Sequence, residues 1–191
     1  MIIDDKTIIQ AIRGRTEVGF KLLMQKYKQP IYWHIRRLVV SHDDAQDATQ
    51  EAFIRIFRSF NQLKDEKSFQ GWLFRIATNE AFRLIESRRQ DRVSLEADGC
   101  EANRFIADSY IDFSNLEVVR LQRAILTLPI KQQVTFNLRY YDELNYDDIA
   151  ETTGSTSSSA KVNYHIAKEK IIKYINSNEN NYEYLNSATL L

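Results

Sequence analysis

Glycine and proline are scarce in this chain, 5 and 2 among 191 residues, about 4% together against a usual share near 12%. An all-β sandwich or barrel needs turn residues every ten positions or so, and collagen-like or low-complexity chains need more still. The shortage excludes them and leaves mostly helix. Cysteine is rarer: the single Cys100 rules out an internal disulfide, and its acidic neighbours in ADGCEAN supply no cation to activate the thiol. The three histidines, His34, His42 and His165, stand far apart without HxxxH or HExxH spacing, so no metal site is expected. No apolar run approaches the roughly 18 residues of a membrane span. The N-terminal MIIDDKTIIQ is acidic rather than basic, so neither anchor nor signal peptide is expected and the chain reads as cytoplasmic. Phosphate-cradling P-loops, nucleophile elbows and carboxylate pairs with an attendant base are also missing. The expectation is a protein with no catalytic residues, no cofactor and no small-molecule substrate.

Formal charge is zero, 26 cations against 26 anions, which alone speaks against a nucleic-acid binder. The distribution reverses that impression. Residues 1–92 carry 17 Lys/Arg and 12 Asp/Glu, 93–117 carry 1 and 6, and 118–191 carry 8 of each. The central acidic stretch VSLEADGCEANRFIADSYIDFSN lacks sustained apolar periodicity. It reads as a linker between two helical domains, either a solvated tether or a segment that threads a basic channel on a partner. The Asn-rich end NSNENNYEYLNSATLL is expected to fray.

In the first domain Asp4 and Asp5 can cap a helix over TIIQAI, which Gly14 interrupts. A second helix carries Phe20, Leu23, Met24 and Tyr27, and Pro30 allows a new start for IYWHIRRLVV, making three helices before residue 41. SHDDAQDATQEAFIRIFRSF then places Ala45, Ala48, Ala52, Phe53, Ile56 and Phe60 on one stripe, with Asp44, Asp47, Gln50, Glu51 and Ile54 on other faces. Its acidic first turn either stabilises the helix dipole or offers a surface to a partner. After the polar loop NQLKDEKS, a helix from Ser68 turns Phe69, Trp72, Leu73, Ile76, Ala77 and Leu84 inward. Arg75, Asn79, Phe82, Arg83 and Glu86 share the opposite face. Cations for phosphates, a ring for stacking and an amide for base edges suit melting DNA, although solvated basic helices share that look.

In the second domain Val119, Leu121, Ile125 and Leu128 mark a helix stopped by Pro129, and KQQVTFNLRYY begins another with Val134, Leu138 and Tyr141. In ELNYDDIAETTGSTSSSAKVNYHIAKEKIIKYI, Asn145 can cap a short helix with Asp148 three residues on, and Gly154 supplies a left-handed turn. Thr156 or Ser157 then caps a helix with Ala160, Tyr164, Ala167, Ile171 and Ile175 inward. Short helix, glycine turn and a second helix with small and polar residues outward is the helix-turn-helix pattern. Tyr140 to Glu151 carries five acids and no base, whereas Lys161 to Lys173 carries four lysines and one acid, so the positive charge sits on the expected reading helix.

The order of these segments resembles the extracytoplasmic-function (ECF) sigma factors, the smallest initiation factors of bacterial RNA polymerase. DDAQDATQEAFIRIF resembles their region 2.2, SFQGWLFRIATNEAFRLI their region 2.3/2.4, and the stretch from LPIKQQ to AKEKI their region 4. The resemblance implies an all-α fold of two small helical domains: residues 1–92 for polymerase clamp and −10 element binding, an acidic linker over 93–115, a helix-turn-helix over 116–176 for the −35 element, and a flexible tail over 177–191.

It further implies that Asp44, Asp47, Gln50, Glu51, Phe53 and Ile54 meet the polymerase clamp coiled coil. By the same resemblance Asn61, Lys64, Lys67, Ser68, Arg75, Asn79, Phe82 and Arg83 handle the −10 DNA, where a flipped base is captured. Ser157, Ser158, Ser159, Lys161, Val162, Asn163, His165 and Lys168 would face the −35 element, while the same domain contacts the polymerase flap. A cognate anti-sigma factor, often membrane-bound in this family, is a further implied partner. Asn163 and Ile166 stand where the family commonly has arginine, which implies weaker autonomous −35 binding; an asparagine there suits adenine. Two rivals are a stand-alone helix-turn-helix regulator and a helical adaptor that binds only protein.

Overall fold

The computed structural model describes residues 3–14, 17–39, 41–63, 65–93 and 116–188. Lys64, Cys100 and residues 94–115 of the expected linker lie outside them. Helices α1 (Asp5–Arg13), α2 (Glu17–Val39), α3 (His42–Ser59) and α4 (Phe69–Val93) form the first unit, with two short 3-10 turns between α3 and α4. Helices α5 (Leu116–Leu126), α6 (Ile130–Tyr140), α7 (Tyr146–Thr153) and α8 (Ser157–Ala188) form the second. Among the described residues there is no strand, and no helix is long and apolar enough to cross a membrane.

Two helices, not three, precede residue 41, because α2 runs unbroken through Pro30. An interior proline forfeits one backbone hydrogen bond and crowds the preceding turn, at about 3 kcal/mol. Tyr27, Ile31, His34 and Ile35 flank it, all buried in the core. Burying each large apolar side chain returns roughly 1.5–3 kcal/mol, so tertiary packing carries the helix across the break. Asp4 sits at the N-cap of α1 but makes no side-chain capping bond. Asp5 instead accepts from Lys26 Nζ at 2.7 Å and the Tyr27 hydroxyl at 2.8 Å, tying α1 to α2.

Helix α3 starts as its sequence dictates: the Ser41 side chain accepts from the Asp44 amide, and Asp43 and Asp44 lie in the positively polarised first turn. Ala45, Ala48, Ala52 and Ile56 are buried; three alanines in that stripe let α3 approach α2 and α4 closely. Helix α4 is buried around more of its circumference than one amphipathic stripe allows. Phe69, Trp72, Leu73 and Ala77 face inward as expected, and Phe74, Thr78, Glu80 and Ala81 are buried as well, because α4 packs against α2, α3 and α7.

The second unit has a small core of its own, Ala124, Ile125, Leu128, Phe136, Ala167 and Ile171. The other faces of its helices join the first unit: Val134, Leu138, Leu144, Ile149, Ala150 and Ala160 belong to the same buried cluster as the α1–α4 residues. The turn from α6 to α7 places Glu143 at φ 55, a left-handed conformation that costs a non-glycine residue roughly 1–2 kcal/mol. Helix α8 continues through Ala188, so helical backbone extends over most of the tail expected to fray.

Candidate nucleic-acid interface

The α7–α8 pair is built from its caps. The Asn145 side chain accepts from the Asp148 amide at 2.9 Å and its own amide group donates to the Asp148 carboxylate at 2.7 Å. Gly154 closes α7 at φ 60, ψ 44, where any L side chain would be strained. Thr156 then accepts from the Ser159 amide at 3.1 Å, opening α8. Ala160, Ala167 and Ile171 turn inward, while Ser158, Ser159, Lys161, Val162, His165 and Lys168 are exposed, with Ser157 and Asn163 half-buried beside them. Tyr164 packs against the rings of Phe136 and Tyr146. All eight residues assigned to the −35 element thus lie at the start of one helix, small hydroxyls first and cations after, an arrangement that lets a helix end approach phosphate and base edges.

The α3 and α4 surfaces are less uniform. Asp47, Gln50, Glu51 and Ile54 form one exposed face of α3, with Phe53 half-buried at its margin. Asp44 does not belong to that face: its side chain is buried and paired with Arg88 of α4. On α4, Asn79 and Arg83 are exposed and Phe82 is half-buried; Asn61 and Lys67 are exposed in the preceding segment, and Ser68 is half-buried. Arg75 is set apart from them, its guanidinium 2.7 Å from the Glu151 carboxylate of α7. Glu80, 5% exposed and not among the residues expected from sequence, receives both Arg55 of α3 and Arg83. The Glu80–Arg83 spacing of three was a visible signal; the reach of Arg55 from another helix was not.

Burial pushes the Asp148 carboxyl above the ordinary aspartate range. The Asn145 hydrogen bond pulls it back, and the nearby acids Glu151, Asp147 and Asp65 add to the rise. The folded chain therefore holds this proton more tightly than the unfolded chain. Stability falls as pH rises from the unfolded aspartate value, about 3.9, through the raised folded value, and the full penalty is present at neutral pH. Asp148→Asn keeps an oxygen and loses the charge. It is expected to raise the melting temperature at pH 7 by about 2–4 °C, with the gain vanishing below pH 4. Thermal unfolding across that range checks this, and a gain independent of pH removes the charge as its cause.

A left-handed glycine between two capped helices, with cations on the second, beside a first helical unit that carries an exposed cation and amide and a half-buried ring on one helix, is the build of a DNA-binding transcription protein. The family model for Sigma-70 region 2 matches residues 23–92, and that for Sigma-70 region 4 matches residues 119–171, together more than half of the chain. The chain belongs to the sigma-70 family and, within it, to the ECF sigma factors. It is 27% identical over 176 residues to the ECF RNA polymerase sigma-E factor of Escherichia coli K12, covering 87% of this chain and 92% of the relative. Against the ECF RNA polymerase sigma factor SigW of Bacillus subtilis it is 27% identical over 179 residues, covering 89% and 96%. In fold it is similar to the sigma factor RpoE solved with the anti-sigma factor NepR from Bartonella quintana: TM-score 0.67, 18% identity, covering 82% of this chain and 96% of that one. It is also similar to CnrH solved with the cytosolic domain of CnrY: TM-score 0.66, 16% identity, covering 91% and 97%.

Proposed function

We propose that this chain directs core RNA polymerase to particular promoters and helps separate the strands at the −10 element, the polymerase carrying out the chemistry. The observation that carries this reading is the presence, on one helical chain, of three differently built exposed surfaces in the family's order. The acidic and apolar face Asp47, Gln50, Glu51 and Ile54 on α3 suits the clamp. The Asn79, Phe82 and Arg83 face of α4, with Asn61, Lys67 and Ser68 before it, suits −10 DNA; Lys64 belongs to this group by sequence. The start of α8 suits the −35 major groove. Asp44, held by Arg88, serves as a brace between α3 and α4 rather than as a contact. Residues 1–92 and 116–176 correspond to the two functional units on this reading, and their place of action is the cytoplasm. RpoE and CnrH were each solved with a bound protein, and an anti-sigma factor that covers the polymerase-binding faces is the corresponding partner here.

Transcription in vitro with core polymerase and a genomic DNA library, read by start-site mapping, tests the proposal. Discrete promoters absent with core alone are expected, and no transcripts above core would overturn the reading. Asp47→Lys with Glu51→Lys reverses two exposed charges without touching the core. It is expected to weaken core binding about tenfold or more at unchanged helix content, measured by fluorescence anisotropy of the labelled chain.

A further inference from the structure

The outward face of α8 carries one side chain unlike its neighbours. Val162 is 56% exposed, the only exposed large apolar side chain over 157–167 among the described residues. At about 100° per residue it lies opposite the buried Ala160 and Ala167, and so stands at the crest of the helix, the point furthest from the core. Lys161 and Lys168, both exposed, sit about 100–120° round one flank, and the half-buried Asn163 sits about 100° round the other.

The residues around Val162 leave it open. Ser158 and Ser159, one turn earlier, are exposed but too short to hold the helix off a surface. Ser159 is also drawn back into the cap: its amide donates to the Thr156 hydroxyl at 3.1 Å, and that hydroxyl donates to the Ser159 side chain at 2.9 Å. His165 has Nε2 3.3 Å from the Glu169 carboxylate, which draws its ring along the helix away from Val162. Ile166, one turn on and half-buried, extends the apolar surface. Glu169 lies on the same side nearly two turns beyond, where phosphates would repel it. The stretch that can enter a groove is therefore short, and Val162 is at its middle.

A helix about 10–12 Å across fits a major groove about 12 Å wide, its flanks toward phosphates and its crest toward the base edges. Valine has neither donor nor acceptor. Against guanine, adenine or cytosine it strips water from ring nitrogens, carbonyl oxygens or exocyclic amines and returns no hydrogen bond, a penalty left uncompensated. Thymine alone presents an apolar group in that groove, its C5-methyl, and bringing two apolar groups together out of water is favourable.

We infer that Val162 is a specificity-determining residue, selecting thymine at one position of the −35 element by packing against its C5-methyl group. This rests on the promoter reading above and adds a base preference separate from the adenine that suits Asn163.

The test uses the full chain with core polymerase on a duplex promoter taken from the start-site mapping. Each base pair of the −35 segment is changed in turn, and each thymine is replaced singly by deoxyuridine, which deletes the methyl group and keeps O4 and the base pairing. One thymine is expected to be required. Any other base pair there should weaken holoenzyme binding about tenfold, and deoxyuridine alone should weaken it about fourfold. Val162→Ala should bind the thymine and deoxyuridine promoters alike, about as tightly as the wild type binds deoxyuridine. Tolerance of deoxyuridine at every position, or an equal deoxyuridine penalty in Val162→Ala, overturns the inference. A chain that yields no mapped promoter, or promoters indifferent to every change in the −35 segment, defeats the promoter reading instead.

Discussion

Phe69→Ala is expected to cost about 3–5 kcal/mol of folding stability. The ring is 1% exposed and sits at the centre of an aromatic cluster. Tyr27 meets it edge-on at 5.9 Å, Phe60 at 6.4 Å, and Trp72 stacks nearly parallel at 6.4 Å. Alanine removes the transfer energy of the ring and leaves a void that three rigid neighbours on α2, the 3-10 turn and α4 cannot collapse to fill. Edge-on and stacked pairs add about 0.5–1.5 kcal/mol each beyond buried area. Against a total of about 5–15 kcal/mol for a domain, much of the first unit's margin disappears. With a urea slope near 2 kcal/mol/M, the midpoint should fall by about 2 M. A fall under about 0.5 M would show that the cluster repacks and that Phe69 does not anchor α4.

The second large effect concerns function rather than folding. Lys161→Ala, Asn163→Ala and Lys168→Ala together are expected to lower promoter-dependent transcription roughly 100-fold while leaving the unfolding midpoint nearly unchanged, a good asparagine–adenine pair being worth about 1–3 kcal/mol. Lys161 and Lys168 are exposed, and Asn163 is half-buried on the same outward side, opposite Ala160 and Ala167. Two lost phosphate contacts should also flatten the logarithmic salt dependence of −35 binding by about 1.8. If transcription survives the triple substitution while the Asp47/Glu51 charge reversal abolishes a protein contact, the chain acts as a protein-binding adaptor and α8 is a bystander.

Most of the local architecture was legible in the order of residues. Asn145 and Asp148 declared a helix start, Gly154 a left-handed stop, and the alanine stripe from Ala45 to Ala52 a closely packed helix. Each signal lies within four residues of what it controls, inside one turn of backbone hydrogen bonding. The start of α8 was legible for the same reason, since its outward residues follow from the inward steps Ala160, Tyr164, Ala167 and Ile171. Pro30 does not end its helix because long-range burial of Tyr27, Ile31 and Ile35 outweighs a local penalty of about 3 kcal/mol, and that burial leaves no mark in the neighbouring residues. Asp44 is a similar case: its place on the helical wheel suits an exposed position, yet its side chain is buried and paired with Arg88 of α4.

The identity of the helices, their ends and the outward faces of α3 and α8 were therefore written in the order of residues, because i, i+3 and i+4 spacing and capping chemistry act over a single turn. The fold alone decided which polar groups turned inward. Glu80 was drawn between two arginines, Arg75 was taken up by Glu151, and His34 found Asp142 across 108 positions of sequence. Such pairs are chosen by which helix faces meet after burial of the apolar seam, and a buried charge or imidazole must find its partner there or forfeit its hydration. No periodicity within either segment records that meeting, so these pairs could be seen only once the chain had folded.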